Sequence, residues 1–275
     1  MKYDLTQARK CIETLDKRRF DRALLGSGDA FRHIVSLVPL LLHLNHPALP
    51  GYVEDAPAGI ADFILSNYQQ NFLSKEHPEL VEEVQSAVNS DAVFAPILGI
   101  YVMGSFGSIS QTSASDLDIW VCHQDDLSEQ DQQRLAEKTK KISQWASTYH
   151  VEMHFYLMTQ QRFRNERYSD PLTKENSGSA QYMLLLEEFY RSAVRLAGKP
   201  LLWLHLWVED EKQYEAEVAR LVAAGELNPN DWVDFGGLGQ FSASEYFGAS
   251  LWQLYKGIDS LEDRKSGSAG MPRPI

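Results

Sequence analysis

Apolar residues recur at helical spacing through the first part of the chain. Leu5, Ala8, Cys11, Ile12, Leu15 and Phe20 form one stripe, and Phe31, Ile34, Val35, Leu37 and Val38 form another after Gly26-Ser27-Gly28. The spacing predicts helix over 4–45 with a break at the glycines. "NHPALPGY" (45–52) interrupts it, and 58–90 carries a weaker helical stripe. The period then falls to two. "ILGIYVMG" (97–104) reads as a buried strand leading into a turn rich in Ser, Gly and Thr. In "DLDIWVC" (116–122), Leu117, Ile119 and Val121 alternate with Asp116, Asp118 and Trp120, the signature of a half-buried strand.

Ser128 followed by Asp131 predicts a helix N-cap, with Leu135, Ile142, Trp145 and Tyr149 as the buried stripe. "VEMHFYLM" (151–158) alternates again, setting Val151, Met153, Phe155 and Leu157 against Glu152, His154 and Tyr156. A long helix is expected over 179–197 with Gly198 as its C-cap, then a last strand in "PLLWLHLWV" (200–208) and mostly helix from Glu209. The pattern predicts α/β or α+β rather than an all-helical fold: a sheet-containing core over 91–208, an N-terminal helical region over 1–90, a C-terminal helical region over 209–260, and a disordered tail over 261–275.

Charge narrows the partners. Against 26 Lys and Arg stand 38 Asp and Glu, a formal net charge of −12, which opposes binding to nucleic acid or to an anionic membrane surface. Two cysteines, Cys11 and Cys122, with no CxxC pattern, give no disulfide framework or zinc site. The charged N-terminus lacks the apolar core of a signal peptide. The longest apolar stretch, Ala92–Gly104, is 13 residues and is broken by Pro96 and Gly99, too short for a membrane span. A cytoplasmic location is the expectation.

The chemistry concentrates between residues 104 and 152. Residues i and i+2 of a strand share a face, so Asp116 and Asp118 point the same way and repel each other unless a cation sits between them. Mg2+ takes carboxylate oxygens and keeps places for water and phosphate. Glu152, on the next strand, would complete a set of acids able to hold two Mg2+ ions, with Mn2+ as an alternative, around a phosphoryl centre. Gly104 lets backbone approach a ligand closely, and Ser105 offers a hydroxyl and an N–H at the expected start of a short helix, a place that favours phosphate. Each element also has an ordinary reading: a solvated strand end, a simple turn, a solvent-facing Glu. Their combination in this order points to a nucleoside triphosphate site.

The order Gly-Ser, D-x-D, later acid resembles the nucleotidyltransferase superfamily of the DNA polymerase β type, which implies an α+β fold with a mixed-sheet core. The stretch "EYFGASLWQLYK" (Glu245–Lys256) is similar to the signature of class I, enterobacterial-type adenylate cyclases, and "SASDLDIWVCHQ" (113–124), "EEFYRSAVRLAGKPLLW" (187–203) and "LNPNDWVDFGGL" (227–238) also resemble that family. From helical spacing alone Tyr246, Phe247, Leu251, Trp252 and Leu254 read as a core stripe. Lys256 reads as a surface residue or a phosphate contact.

The resemblance implies conversion of ATP to 3′,5′-cyclic AMP and pyrophosphate, with Asp116, Asp118 and Glu152 as metal-binding catalytic residues and Gly104, Ser105 and Ser115 at the nucleotide. By analogy with basic residues of the superfamily, Lys199 is assigned to the triphosphate; the ordinary reading is an exposed lysine at a helix end. Arg195 is expected on a helix surface, His154 packed on its strand or supporting the metal site, and His123 in an exposed loop. Ser113 and Ser115 either hydrogen-bond the acid-bearing loop or are plain turn residues. Two rivals remain: a nucleotidyltransferase with a separate acceptor, and a catalytically silent nucleotide-binding remnant.

The resemblance implies much longer relatives, with a regulatory C-terminal half that takes input from the sugar phosphotransferase system, and the expectation is that this half is missing here. "LEDRKSGSAGMPRPI" reads as a truncation, an alternative reading frame or a cloning remnant, and the edge where the missing half would dock is expected to favour self-association.

Overall fold

The structure, a computed structural model, describes residues 4–82, 84, 95–108, 111, 115–161, 164, 179–206, 208, 213–238, 247 and 251. It divides into two compact units, one of residues 1–160, 192–206 and 229–234, the other of 161–191, 207–228 and 235–275. The N-terminal helices therefore belong to the same unit as the sheet.

In the first unit, α1 (Leu5–Leu25) starts at Asp4, whose side chain accepts from the Gln7 N–H, and α2 (Asp29–His43) follows the glycine break. Along α2, Ile34, Val35 and Leu37 to Leu42 are buried. After the Pro/Gly break comes α3 (Asn67–Glu76), opened by a reciprocal cap between Ser66 and Gln69. The sheet holds β1 (Ile97–Met103), β2 (Leu117–His123), β3 (Met153–Met158) and β4 (Val194–Gly198) in the order β3-β2-β1-β4. β1 runs antiparallel to β2 and β4, while β2 and β3 are parallel and joined through α4 (Glu129–Ser147). The Ser128 cap forms as expected, its side chain accepting from the Asp131 N–H.

The alternation read in β2 and β3 sets the two faces. Ile100 and Val102 of β1, Leu117, Ile119 and Val121 of β2 and Met153 of β3 join the buried core with Leu37 and Leu41 of α2 and Leu135 and Ile142 of α4. Each such side chain taken fully from water contributes about 1.5–3 kcal/mol. The opposite face carries Tyr101, Trp120 and Tyr156 in one row and Met103, Asp118 and His154 in the next.

The helix expected over 179–197 ends early. α5 (Ser179–Ser192) gives way to β4, because pairing with β1 claims Val194–Gly198 as an edge strand. Gly198 is the end of that strand, at φ +86°, where an added Cβ would lie 2.5 Å from the Leu98 carbonyl oxygen. The strand expected over 200–208 is instead a bridge from Leu201 to Val233 followed by a 3-10 turn over Leu202–His205. Arg195 is thus on a strand, half-buried, donating to Glu13 Oε1 at 3.1 Å and to the Gly198 carbonyl at 3.1 Å. His123, expected in a loop, closes β2 and is buried.

In the second unit, Tyr190 donates to the Gly236 carbonyl at 2.7 Å and Phe189 meets Phe235 edge-on, while Tyr214 and Leu221 of α6 (Tyr214–Ala223) are buried. Of the twelve-residue signature only Phe247 and Leu251 are among the described residues. Both are helical, and they are 64% and 50% exposed rather than core, since spacing defines a face but only a neighbour buries it. Tyr246, Trp252, Leu254, Lys256, Ser113 and the tail lie outside the described residues. Among those described, no helix is long and apolar enough to cross a membrane.

Candidate active site

The β1–β2 connection and the start of β3 meet at one end of the sheet. Antiparallel pairing puts Met103 opposite Asp118, so the turn after β1 and the acids before and within β2 are neighbours. Parallel pairing puts Leu117 opposite Met153 and Asp118 opposite His154, and the Leu117 N–H donates to the Glu152 carbonyl at 3.0 Å. Asp116 and Glu152 each immediately precede a core-facing residue, Leu117 and Met153. By strand alternation the three acids fall on the non-core face at this end of the sheet.

Tyr156, two residues along β3 from His154, donates its hydroxyl to Asp118 Oδ1 at 3.2 Å. Burial, then Asp118 and Asp116, push the Tyr156 pKa well above its ordinary value, so the phenol stays protonated and remains a donor. Asp116 and Asp118 both bear on that one hydroxyl. Sequence reading placed Tyr156 on the acid-bearing face without giving it a role; the alternation held the signal, and the strand register supplies the partner.

Asp118 is half-buried, while Asp116 and Glu152 are exposed. Glu152 Oε1 lies 3.1 Å from His154 Nε2, a solvent-exposed pair whose separation costs little. His154 is thus neither packed on its strand nor directed at Asp118.

The residues fit divalent cations in two respects, an all-carboxylate donor set and a common face at one end of the sheet. The side chains themselves are not gathered: among the described residues, no group of three or more His, Cys, Asp or Glu is placed to hold an ion.

The turn is well defined. Gly104 has φ +81° with open space where a Cβ would stand, and its N–H donates to Ser192 Oγ at 3.0 Å. Ser105 begins a hydrogen-bonded turn, its carbonyl accepting from the Ser108 N–H at 2.9 Å and from Ser108 Oγ at 2.7 Å. Residues 104–107 are turn, where a helix start was expected, because the backbone at Gly104 and Gly107 (φ +66°) is left-handed. Ser115 is half-buried one residue before Asp116.

Lys199 stands elsewhere. Its N–H donates to the Leu98 carbonyl at 2.8 Å, at the beginning of β1, and its charge bears on the buried Cys122 thiol near the far end of β2. From Leu98 to Gly104 is six residues of strand, roughly 20 Å at ~3.3 Å per residue, beyond the reach of a lysine side chain. The superfamily analogy suggested the triphosphate; the antiparallel direction of β4 carries the residue away from the turn.

A four-stranded mixed sheet backed by helices, with acids of adjacent strands beside a glycine turn, is an α+β core of nucleotidyltransferase-like class. The family described as "Adenylate cyclase NT domain" matches residues 4–204, and "Adenylate cyclase, class-I, second domain" matches residues 241–262. The chain belongs to the class I adenylate cyclase family. It is 67% identical over 265 residues to an adenylate cyclase of Haemophilus influenzae, covering 94% of this chain and 31% of that protein. It is 60% identical over 262 residues to one of Pasteurella multocida, covering 94% and 31%. With one of Escherichia coli K12 it shares 44% identity over 250 residues, covering 90% and 29%. The chain thus spans about a third or less of the length of these relatives. No solved structure matches it.

Proposed function

We propose that this chain carries the catalytic site of an adenylate cyclase acting in the cytoplasm, converting ATP to 3′,5′-cyclic AMP and pyrophosphate. The observation that supports the reading is the β2–β3 register, Leu117 opposite Met153 and Asp118 opposite His154, by which strand alternation puts Asp116, Asp118 and Glu152 toward one face at the end of the sheet beside the Gly104–Ser105 turn. In the reaction the ribose 3′-oxygen bonds to the α-phosphorus, the bond from that phosphorus to the α–β bridging oxygen breaks, the hydroxyl proton is released and pyrophosphate leaves.

Asp116, Asp118 and Glu152 would hold two Mg2+ ions, or Mn2+ in their place. Such ions, when bound, make the 3′-hydroxyl more acidic and offset charge on the leaving group. Asp118 is oriented by the Tyr156 hydroxyl. The Gly104–Ser105 turn presents backbone and a hydroxyl to the triphosphate, with Ser115 beside the acids. The nucleophile belongs to the same molecule as the phosphorus it attacks, so holding ATP in the folded-back shape supplies much of the rate. Lys199 is given no part.

A silent nucleotide-binding role is the second reading, favoured by the ungathered acid side chains. Incubating the protein with ATP and Mg2+ separates these: cyclic AMP supports the cyclase, AMP transferred to an added acceptor supports a transferase, and metal-dependent binding without product supports the silent role.

A further inference from the structure

The turn proposed to meet the triphosphate is held from α1, and one side chain makes most of the connection. Arg19 Nη2 donates to the Phe106 carbonyl at 3.1 Å and also to the Ser192 carbonyl, while Nη1 donates to the Ala193 carbonyl at 3.2 Å. Ser192 in turn takes the Gly104 N–H on its hydroxyl. A single guanidinium therefore ties down the turn at Phe106 directly and at Gly104 through Ser192.

The surroundings leave the turn little freedom relative to α1. A Cβ at Gly107 would lie 2.3 Å from the Arg19 carbonyl oxygen, so helix and turn backbones touch. Gln111 accepts from the Gly107 N–H at 2.7 Å and donates to the Ala23 carbonyl and Ser27 Oγ. The buried Phe106 ring packs against Phe20 and Phe31 at 5.9 and 6.4 Å.

We infer that Arg19 is a positioning residue for the nucleotide-binding turn, fixing Gly104 and Ser105 by bridging three main-chain carbonyls. The chemistry requires a guanidinium: its planar fork spans several acceptors at once, whereas a lysine ammonium offers one atom. The inference rests on the reading of Gly104–Ser105 as the triphosphate contact.

The test uses the 275-residue chain as wild type, Arg19→Gln and Arg19→Lys, with Gln111→Ala as a second link between turn and helix should Arg19→Gln not fold. Amide hydrogen exchange over 104–108 reads the turn whatever the substrate, and steady-state kinetics well below the melting temperature read its use. Loss of the bridge is expected to raise exchange in the turn and the ATP KM each by about tenfold, more than it changes kcat, with Arg19→Lys intermediate. Unchanged exchange in the turn overturns the inference. Faster exchange with unaltered KM and kcat also overturns it, reducing Arg19 to a structural residue. Should the wild type make no cyclic AMP, the functional reading falls, and the exchange result still decides whether Arg19 holds the turn.

Discussion

Tyr156 and Asp118 are joined across two parallel strands, the phenol hydroxyl donating to the carboxylate at 3.2 Å from a position two residues beyond Asp118's own register partner. The bond holds one oxygen of the carboxylate in a fixed direction. Removing the hydroxyl as Tyr156→Phe keeps the ring and its packing. A partner of this kind behind a ligating group contributes roughly 10- to 100-fold, so kcat/KM for ATP is expected to fall by at least about tenfold while the melting temperature moves little. Steady-state rates of cyclic AMP formation across Mg2+ concentrations check this.

Lys199 makes the opposite prediction. Anchored beside Leu98 at the far end of β1 from Gly104, its ammonium has no route to a triphosphate at the turn. Lys199→Ala is expected to leave the ATP KM within about twofold of wild type, since surface substitutions away from a site change little. A large rise in KM would show that the nucleotide lies along the sheet in a way the register does not suggest.

Stability should depend on pH through His43. Its Nδ1 accepts the Ile60 N–H at 3.1 Å and its ring stacks on Phe63 with centroids 4.0 Å apart, both suited to the neutral ring. Burial lowers its pKa from 6.5 to about 4. The folded pKa is the depressed one, so the folded state binds fewer protons. The stabilising contribution is complete above about 6.5 and is lost as pH falls toward 4, by up to roughly 3 kcal/mol. Asp16 runs the other way, its folded pKa raised to about 6 by burial, so its effect weakens the fold as pH rises through that range. The difference between wild type and His43→Asn, whose amide oxygen can still accept from Ile60, isolates the histidine. Urea unfolding at pH 4.5 and 7.5 should show the variant losing less stability on acidification.

What sequence could read, and what it could not, follows from the range of the interactions. Leu117, Ile119 and Val121 against Asp116 and Asp118 revealed β2 and its faces because a half-buried strand writes its burial into every second residue. The same rule puts Glu152 on the face opposite Val151 and Met153. The caps at Ser128 and the break after α1 are local chemistry and were equally legible. Val194–Gly198 was hidden because five residues continuing a helical apolar stripe show no period of their own; pairing with β1 makes them a strand. Lys199 and Tyr156 show the deeper limit. Which residues face each other depends on strand direction and register, properties of pairs distant in the chain. Arg19 gave no signal at all: one arginine among the charges of "DKRRF" acquires its task only when Phe106, Ser192 and Ala193 converge on it.

The most direct measurement is mass analysis of the products formed from ATP and Mg2+ by wild type and by Asp118→Asn, with thermal unfolding of both. A divalent-ion site built on Asp118 predicts cyclic AMP and pyrophosphate in equal amounts from the wild type, and a rate lower by about 100-fold or more in a variant that still folds. Cyclic AMP formed at the same rate by folded Asp118→Asn would contradict the account.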